Sequence, residues 1–395
     1  VGGRIGECGP FADLVKRHPL AKVIDRGSCT ILPGLVNAHT HLELSEFSCG
    51  PRPASFTQWL MRLVPRGQVT ASDVRDSVSR SIPMGVGQCL RFGVTCVGDI
   101  SRHVGVSRPL LKKGPLRVVS YGEVQAMAQR RSLLEERIAV AIDPEFENPI
   151  DNSFSLTIGL SPHAPYSIEA GGYRRCVEVA KTRNLPLATH LAETRDEATF
   201  LADHSGPFRD LWTHIGAWDA DVPRFAGGPI RFAQAVGLLD YPTLLAHVNY
   251  CDDAEMELLA GSGGAAASVV YCPRTHAYFG HPPHRWREML ERGINVALGT
   301  DSCASSPDLN LLEEMRVVRR LAPDLAAADI WEMGTMRGAR AIQMEDQVGS
   351  IETGKWADFV LFATESGDPL GEILDAGLGV RETWIGGEIR RGEAG

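Results

Sequence analysis

Short apolar and β-branched runs alternate along this chain with longer stretches in which apolar residues recur at helical spacing. This alternation is typical of a parallel sheet built from βα units. Eight runs are predicted to be strands: Leu35–Ala38, Val94–Gly98, Arg117–Tyr121, Leu156–Leu160, Leu187–Thr189, Leu244–Ala246, Ala267–Tyr271 and Val296–Gly299. Helices are predicted at Ser72–Arg91, Gly172–Arg183, Asp253–Ala260, Trp286–Arg292 and Leu309–Leu321. Eight strands with matching helices predict an α/β fold, a (β/α)8 TIM barrel.

Polar side chains of catalytic types stand just beyond these predicted strands. They are His39, His41, Asp99, Glu123, His163, His190, Glu193, His247, Arg274, His276 and Asp301. In a (β/α)8 barrel, the carboxyl ends of the strands and the loops that follow them form the active-site face. The pattern therefore predicts that these side chains share one site.

The two ends of the chain have a different pattern of short strands and turns. We expect residues 1–33 and 349–395 to form a composite β-sandwich that flanks a barrel of residues 34–348. Because the chain opens at Val1 rather than Met, we also expect that further strand residues precede it. Two long connections, Ser45–Thr70 and Thr194–Tyr241, are predicted to be lids or binding loops, the usual role of long loops in compact folds.

Composition narrows the class of protein. The 395 residues are 44% hydrophobic and 23% charged, which excludes disorder, collagen and coiled coil. The net charge is −9 and no Lys/Arg tract occurs, so neither nucleic acid nor an anionic membrane is an expected partner. Nine scattered cysteines without a C-x-x-C pair predict free thiols and a cytoplasmic location. No apolar run reaches the ~18 residues of a membrane span.

The residues at three strand ends have the chemistry of a metal site. His39 and His41 alternate on one strand and so face the same side, where they share one metal or are two unrelated polar groups. With His190 and Asp301 they would complete a zinc-type site with an open position for water. Zinc lowers the pKa of bound water to ~7. Glu193 follows His190 closely enough to shuttle a proton without being a ligand.

Several longer motifs resemble one family. They are Pro33-Gly34-Leu35-Val36-Asn37-Ala38-His39-Thr40-His41, Ser161-Pro162-His163-Ala164-Pro165-Tyr166, His190-Leu191-Ala192-Glu193, Gly299-Thr300-Asp301-Ser302 and the stretch from Val348 to Asp358. Together they resemble the amidohydrolase superfamily over nearly the whole chain. Within it, the chain is similar to the branch that holds methylthioadenosine/S-adenosylhomocysteine, guanine and aminofutalosine deaminases and the triazine chlorohydrolases.

The resemblance implies a role for each matching residue. One divalent metal, usually zinc and sometimes iron, would be bound by His39, His41, His190 and Asp301. His247 would hydrogen-bond the hydroxide or the tetrahedral oxygen, and Glu193 would protonate the ring nitrogen beside the attacked carbon. Asp301 would also take a proton from the attacking water, and His163 would reach the substrate. The predicted fourth strand ends without a lysine, which favours one metal rather than the bridged pair of binuclear relatives.

Three further residues are predicted to contact the substrate: Arg66, Arg274 and His276. Arg66 lies in the first long loop, where related nucleoside deaminases often carry a Glu, and an arginine there suits an acidic substrate group. Arg274 could pair with a substrate carboxylate or phosphate, or simply fix its loop. His276, together with His281 and His284, could bind a second metal, contact the substrate or hold the loop by hydrogen bonds.

These observations predict a metal-dependent hydrolase that deaminates an amino-substituted purine or related heterocycle, such as an adenosine derivative or aminofutalosine. Metal-bound hydroxide would attack the amino-bearing carbon, and ammonia would leave. The alternative is a chlorohydrolase or amidohydrolase that acts on triazine- or amidine-type compounds with the same machinery. A non-catalytic barrel scaffold is a remote alternative. Relatives that have lost catalysis usually lose metal ligands, whereas all four candidate ligands are present in this chain. The expected partner is a small-molecule substrate, and a homodimer is possible.

Overall fold

A computed structural model describes residues 2–63, 70–146, 156–261 and 267–392. It contains twelve described strands: β1 (Thr30–Pro33), β2 (Leu35–Thr40), β3 (Val94–Ser101), β4 (Arg117–Val124), β5 (Leu156–Pro162), β6 (Leu187–Leu191), β7 (Thr243–His247), β8 (Ala267–Tyr271), β9 (Asn295–Leu298), β10 (Phe359–Phe362), β11 (Glu382–Ile385) and β12 (Glu388–Gly392). Strands β2 to β9 are parallel neighbours in chain order. A parallel bridge between Thr40 and Asp301 joins the first of them to the segment after the last. The predicted (β/α)8 barrel is confirmed.

The described helices lie mostly between the barrel strands and after them. They are α1 (Phe11–Arg17), α2 (Phe56–Leu63), α3 (Ala71–Arg91), α4 (Val104–Leu111), α5 (Leu134–Ala141), α6 (Ala170–Arg183), α7 (Arg195–Asp203), α8 (Pro207–His214), α9 (Pro229–Ala235), α10 (Asp253–Gly261), α11 (Pro273–Phe279), α12 (Trp286–Glu291), α13 (Leu311–Leu321), α14 (Ala327–Met333), α15 (Met336–Ala341) and α16 (Pro369–Asp375). All five predicted helices are found within two residues of their expected bounds. No helix in the described part of the chain is long and apolar enough to cross a membrane.

The barrel strands are apolar because both of their faces are covered. Every residue of β2, β3, β6, β7 and β9 is buried. Parallel strands between a packed interior and a layer of helices have no solvated face. Their sequences are therefore continuous apolar runs and do not alternate between apolar and polar residues. Among their polar residues, Asn37 is satisfied by Thr300 through two buried hydrogen bonds of 2.7 and 3.1 Å.

The two ends of the chain meet in a separate antiparallel sheet, as expected. Its order is β1-β10-β11-β12. A buried ion pair fixes this sheet to the barrel, because Asp358, just before β10, accepts hydrogen bonds of 2.5 and 3.0 Å from Arg117. Arg117 begins β4, so the link lies at the amino end of that strand, opposite the predicted active-site face.

Residues 2–29 differ from the short strands expected around Gly2–Ile5 and Val23–Asp25. Phe11–Arg17 is helical, and the backbone of Arg4 pairs with Trp356 in an isolated bridge outside the named strands. Val23–Asp25 belongs to no strand among the described residues, and its Val23 side chain is exposed. β-Branched residues favour extended backbone, but a strand forms only where a neighbouring strand accepts its hydrogen bonds. The sequence pattern alone could not show whether such a neighbour is present.

Candidate metal centre and active site

Three histidines meet at the carboxyl ends of β2 and β6. His39 lies near the end of β2, His41 directly follows it, and His190 belongs to β6. One ring nitrogen from each lies within 4.8 Å of the other two, and the Nε2 atoms of His41 and His190 are 3.2 Å apart. Two nitrogens bound tetrahedrally to one zinc ion at ~2.05 Å would be ~3.3 Å apart. The cluster therefore has the dimensions of a site for one metal ion.

Asp301 brings a carboxylate to the same cluster. Its Oδ1 lies 3.8 Å from Nε2 of His39 and 3.7 Å from Nε2 of His41. Its other oxygen accepts a hydrogen bond of 2.8 Å from Ser305, which fixes the orientation of the carboxylate. The backbone of Asp301 is left-handed, with φ +54°, a conformation that Asp tolerates better than most residues. The structure thus brings together all four predicted ligands.

The donor set fits a divalent cation. His39 is fully buried, and neither of its ring nitrogens has a hydrogen-bond partner within the described residues. Burial lowers the pKa of His39 and His190 well below the usual range, so both rings are neutral and offer lone pairs. Nδ1 of His190 donates to the carbonyl of His163 at 3.1 Å, which leaves its Nε2 free for a metal. Neutral imidazoles beside a carboxylate are typical zinc ligands.

Glu193 and His247 form the proton-handling part of the site. Oε1 of Glu193 lies 3.5 Å from Nε2 of His247, and both side chains are buried. Burial, reinforced by the nearby Asp301 carboxylate, raises the pKa of Glu193 well above its usual range. Burial lowers the pKa of His247 to about 3. The pair is therefore a carboxylic acid beside a neutral imidazole.

Glu197, which was not singled out from the sequence, holds the loop that carries Glu193. Its carboxylate accepts hydrogen bonds of 3.0 Å from the backbone N–H groups of Ala192 and Glu193. Ala192 is left-handed, with φ +49°, so this turn needs such support. Thr194 caps helix α7 and Glu197 follows it by three residues, a spacing typical of a capping box. That spacing is the signal that could have pointed to Glu197.

His163 lines the same cavity. Its Nδ1 is 2.6 Å from the hydroxyl of Ser167, which itself donates to the carbonyl of Ala164. Nδ1 therefore carries the proton, and Nε2 is an acceptor that lies 3.8 Å from Oε2 of Glu123. Burial lowers the pKa of His163 to about 3, so the ring is neutral.

His41, His190 and Asp301 of the metal-type cluster line a cavity of about 800 Å³. One wall is apolar and comes from the two long loops predicted to be functional: Leu60, Leu63, Leu211, Trp212 and Ile215. Another wall carries Glu123, Gln125, Arg102 and Arg130. Arg102 is placed by Glu43, whose carboxylate accepts hydrogen bonds from the backbone N–H groups of Arg102 and His103 at 3.0 and 3.1 Å.

The three predicted substrate contacts have different outcomes. Arg66 lies outside the described residues. Arg274 is not among the described residues that line the cavity, and it donates to Glu314 at 2.6 Å and to Asp308 at 2.7 Å. His276 bonds to the carbonyl of Pro282 at 2.9 Å and does not line the described cavity either. For both residues the contacts are those of the loop-holding alternative.

A parallel eight-stranded barrel with histidines and carboxylates gathered at its carboxyl face defines the class as a (β/α)8 protein with a metal-type centre. Comparison with known families makes this specific. The amidohydrolase family matches residues 30–390, and the chain belongs to this family. The family resemblance seen in the motifs is therefore confirmed.

Curated relatives align over most of their length. The chain is 28% identical over 377 residues to 5-methylthioadenosine/S-adenosylhomocysteine deaminase 2 of Archaeoglobus fulgidus, which covers 92% of this chain and 83% of that protein. It is 28% identical over 366 residues to 5-methylthioadenosine/S-adenosylhomocysteine deaminase of Moorella thermoacetica, covering 91% and 79%.

Solved structures share the fold. Aminofutalosine deaminase of Helicobacter pylori, in complex with methylthio-coformycin, superposes with a TM-score of 0.82 at 22% identity, covering 99% of this chain and 94% of that chain. An adenosine deaminase from Xanthomonas campestris, with bound zinc, gives a TM-score of 0.79 at 24% identity, covering 99% and 87%.

Proposed function

We propose that this protein is a metal-dependent aminohydrolase that removes the amino group of a purine or related heterocycle and releases ammonia. The observation that carries the proposal is the buried Glu193 acid, held 3.5 Å from the neutral His247 beside the three-histidine cluster. Deamination of a ring needs a proton donor and an activated water at one carbon, and this arrangement has groups for both. The names of the aligned relatives support the same reaction.

The metal would be held by His39, His41, His190 and Asp301. Zinc is the proposed ion, because three neutral imidazoles and one carboxylate suit it, and iron is the alternative. When bound, such an ion supplies hydroxide at neutral pH by lowering the pKa of coordinated water to ~7.

The protein's own residues would then move the protons. The carboxyl of Glu193, whose raised pKa keeps it protonated, would donate to the ring nitrogen next to the attacked carbon. Nε2 of His247, which lacks a hydrogen-bond partner within the described residues, would bond the oxygen that adds to that carbon. The carboxylate of Asp301 would take the proton of the attacking water, and the amino group would leave as ammonia.

The cavity favours a substrate of nucleoside size. Its volume of about 800 Å³ lies within the ~300–1,000 Å³ of small-molecule sites. The acceptor nitrogen of His163 could bind a substrate hydroxyl. Arg102 and Arg130 line the cavity, with the Arg130 guanidinium 5.8 Å from the centroid of the Trp212 ring. In the described part of the chain neither guanidinium forms an ion pair, so an anionic substituent could be accommodated. An adenosine derivative or an aminofutalosine-like compound meets these requirements.

The proposal is tested by ammonia release from zinc-loaded protein. The panel contains adenosine, 5-methylthioadenosine, S-adenosylhomocysteine, aminofutalosine, guanine and a chlorinated triazine, the last assayed for chloride. Ammonia from at least one purine, lost in Glu193→Gln, is the expected result. Chloride release without ammonia from any purine would instead establish the chlorohydrolase alternative and overturn the proposal.

A further inference from the structure

The histidine-rich loop after β8, defined as residues 276–284 and including the last turn of α11, is not explained by the proposed reaction. Its three histidines are His276, His281 and His284. Within residues 2–63, 70–146, 156–261 and 267–392 they do not form a group of ligand atoms close enough to hold one metal ion. Each ring instead makes a separate polar contact, and these contacts indicate a structural role for the loop.

Two of the contacts reach the end of β7 and the loop that follows it. Nε2 of His284 lies 2.8 Å from the carbonyl oxygen of His247, and Nδ1 of His281 lies 2.9 Å from the hydroxyl of Tyr250. The third contact, from His276 to Pro282, closes the histidine loop on itself. The loop after β8 is thus fastened at two points to the segment 247–250, which carries the proposed proton-handling imidazole.

The segment that is held has an unfavourable backbone. His247 has φ +74° and Val248 has φ +49°. A left-handed conformation is uncommon for any residue with a Cβ and is an outlier for a β-branched one such as Val248. Such a conformation persists only where surrounding contacts determine it. The N–H of Val248 is bonded to the carbonyl of Leu191 at 3.0 Å, and the carbonyl of His247 is bonded to His284.

His284 is itself held rigidly. It is buried, and its ring stacks on Tyr271 with the centroids 4.4 Å apart. A carbonyl oxygen only accepts hydrogen bonds, so Nε2 of His284 must carry the proton. Burial lowers the pKa of His284 to about 3, which keeps the ring neutral with one N–H at neutral pH.

We propose that His284 is a positioning residue for His247: its Nε2–H holds the His247 carbonyl, and so keeps the left-handed turn that aims the His247 imidazole at Glu193. The proposal rests on the proposed function only for the role of His247. The contact itself is independent of which substrate the enzyme accepts.

Three variants of the zinc-loaded full chain test this role. His284→Phe keeps an aromatic ring over Tyr271 but has no N–H. His284→Gln keeps an N–H donor near the position of Nε2. Tyr250→Phe is the matched control, because it removes the other hydrogen bond between the two loops and leaves the bond to His247 in place.

We expect kcat of His284→Phe for ammonia release to fall about 10- to 100-fold, the range seen when a supporting hydrogen bond is lost. KM and bound zinc should stay close to those of the wild type, since neither depends on the His247 peptide. His284→Gln should recover most of kcat, and Tyr250→Phe should keep it. A folded His284→Phe enzyme with the same kcat as Tyr250→Phe would overturn the proposal.

A second measurement needs neither activity nor a folded Phe variant. NMR of the wild-type protein with 15N-labelled histidine reports which ring nitrogen carries the proton, and the His284 signal is assigned by its absence in His284→Gln. Protonation at Nε2 is expected, and protonation at Nδ1 would overturn the proposal. If the wild type releases no ammonia from any compound, the proposed function fails, while this result still decides whether His284 holds the His247 carbonyl.

Discussion

Oε1 of Glu193 lies 3.5 Å from Nε2 of His247; Glu193 is in the loop after β6, and His247 is the last residue of the neighbouring strand β7, directly before its loop. The two loops are tied directly: the amide of Asn249 donates to the carbonyl of Glu193 at 3.0 Å. An acid and a neutral imidazole are therefore held as one unit. Because the pair is buried, its protonation depends on burial and on neighbouring charges. Each of the two groups can be tested by its own substitution.

Replacing the acid should abolish most of the reaction. Glu193→Gln keeps the size of the side chain but cannot donate the carboxyl proton, so we expect kcat to fall about 10²- to 10⁴-fold. Bound metal, measured by elemental analysis, should not change, because the proposed ligand atoms belong to other residues. Glu255→Gln, on α10 outside the cavity, is the control for a buried amide substitution. Full ammonia release by Glu193→Gln would show that another group donates the proton.

Removing the metal should cost both activity and stability. A chelator is expected to abolish ammonia release and lower the melting temperature, because it leaves His39 buried with no partner for its ring nitrogens among the described residues. An ion present at ~1,000 times its Kd stabilises a fold by ~4 kcal/mol, and added zinc should restore this. In His190→Ala the chelator should change the melting temperature much less. Protein that retains its full rate after complete removal of metal would contradict the assignment of a metal centre.

The position of the site could be predicted from the sequence because it depends on local rules. His39 and His41 are one strand period apart, and parallel strands deliver their carboxyl ends to one face of a barrel. By the same two rules, His190 and Asp301 are expected at this face because each stands at the end of another predicted strand. The same rules located His163, Glu193 and His247.

The walls of the cavity could not be predicted, because they depend on contacts between distant loops. Arg102 reaches the cavity only because Glu43, 59 residues earlier, binds its backbone N–H. Arg274 has the charge to bind a substrate anion, but Glu314, 40 residues later, takes its guanidinium. Spacing along a strand specifies which way a side chain points. The partner of a long cationic side chain such as arginine, in contrast, depends on how distant loops pack against each other.

The support of the catalytic loop by Glu197 predicts a pH dependence of stability. Burial raises the pKa of Glu197 to about 8, above the 4.5 of a free Glu. Between these two values the folded state holds a proton that the unfolded state has released, so the free energy of unfolding decreases as pH rises, by up to ~1.4 kcal/mol per pH unit. Below pH 4.5 and above pH 8 this contribution is constant.

Glu197→Gln has no such proton. Urea unfolding of both proteins at pH 5.5 and pH 8.0 should show the difference in stability moving in favour of the variant at the higher pH. Asp196→Asn, its partly exposed neighbour on the same helix turn, serves as the comparison for a surface carboxyl. A stability difference between wild type and Glu197→Gln that is the same at both pH values would mean that Glu197 is ionised throughout, as a bound carboxylate.

Substitution of Arg274 tests whether its guanidinium contacts the substrate or stabilises the fold. Its Nε lies 2.6 Å from Oε1 of Glu314, a side chain with no exposed surface, and its backbone N–H donates to the other oxygen of the same carboxylate. In Arg274→Gln the buried Glu314 carboxyl would lose its cation, and removing one partner of a buried ion pair costs about 3–5 kcal/mol. We therefore expect a marked loss of stability in urea, with KM almost unchanged in protein that remains folded.

The double variant Arg274→Gln, Glu314→Gln should recover a large part of that loss, because removing both charges leaves no uncompensated ion in the interior. A double-mutant cycle of the wild type, the two single variants and the double variant measures the coupling free energy between the two side chains. If instead Arg274→Gln raised KM for an anionic substrate while stability and the effect of Glu314→Gln were unchanged, the guanidinium would belong to the substrate site. The arginines that line the described cavity, Arg62, Arg102 and Arg130, are then the matched substitutions in which KM, and not stability, is expected to change.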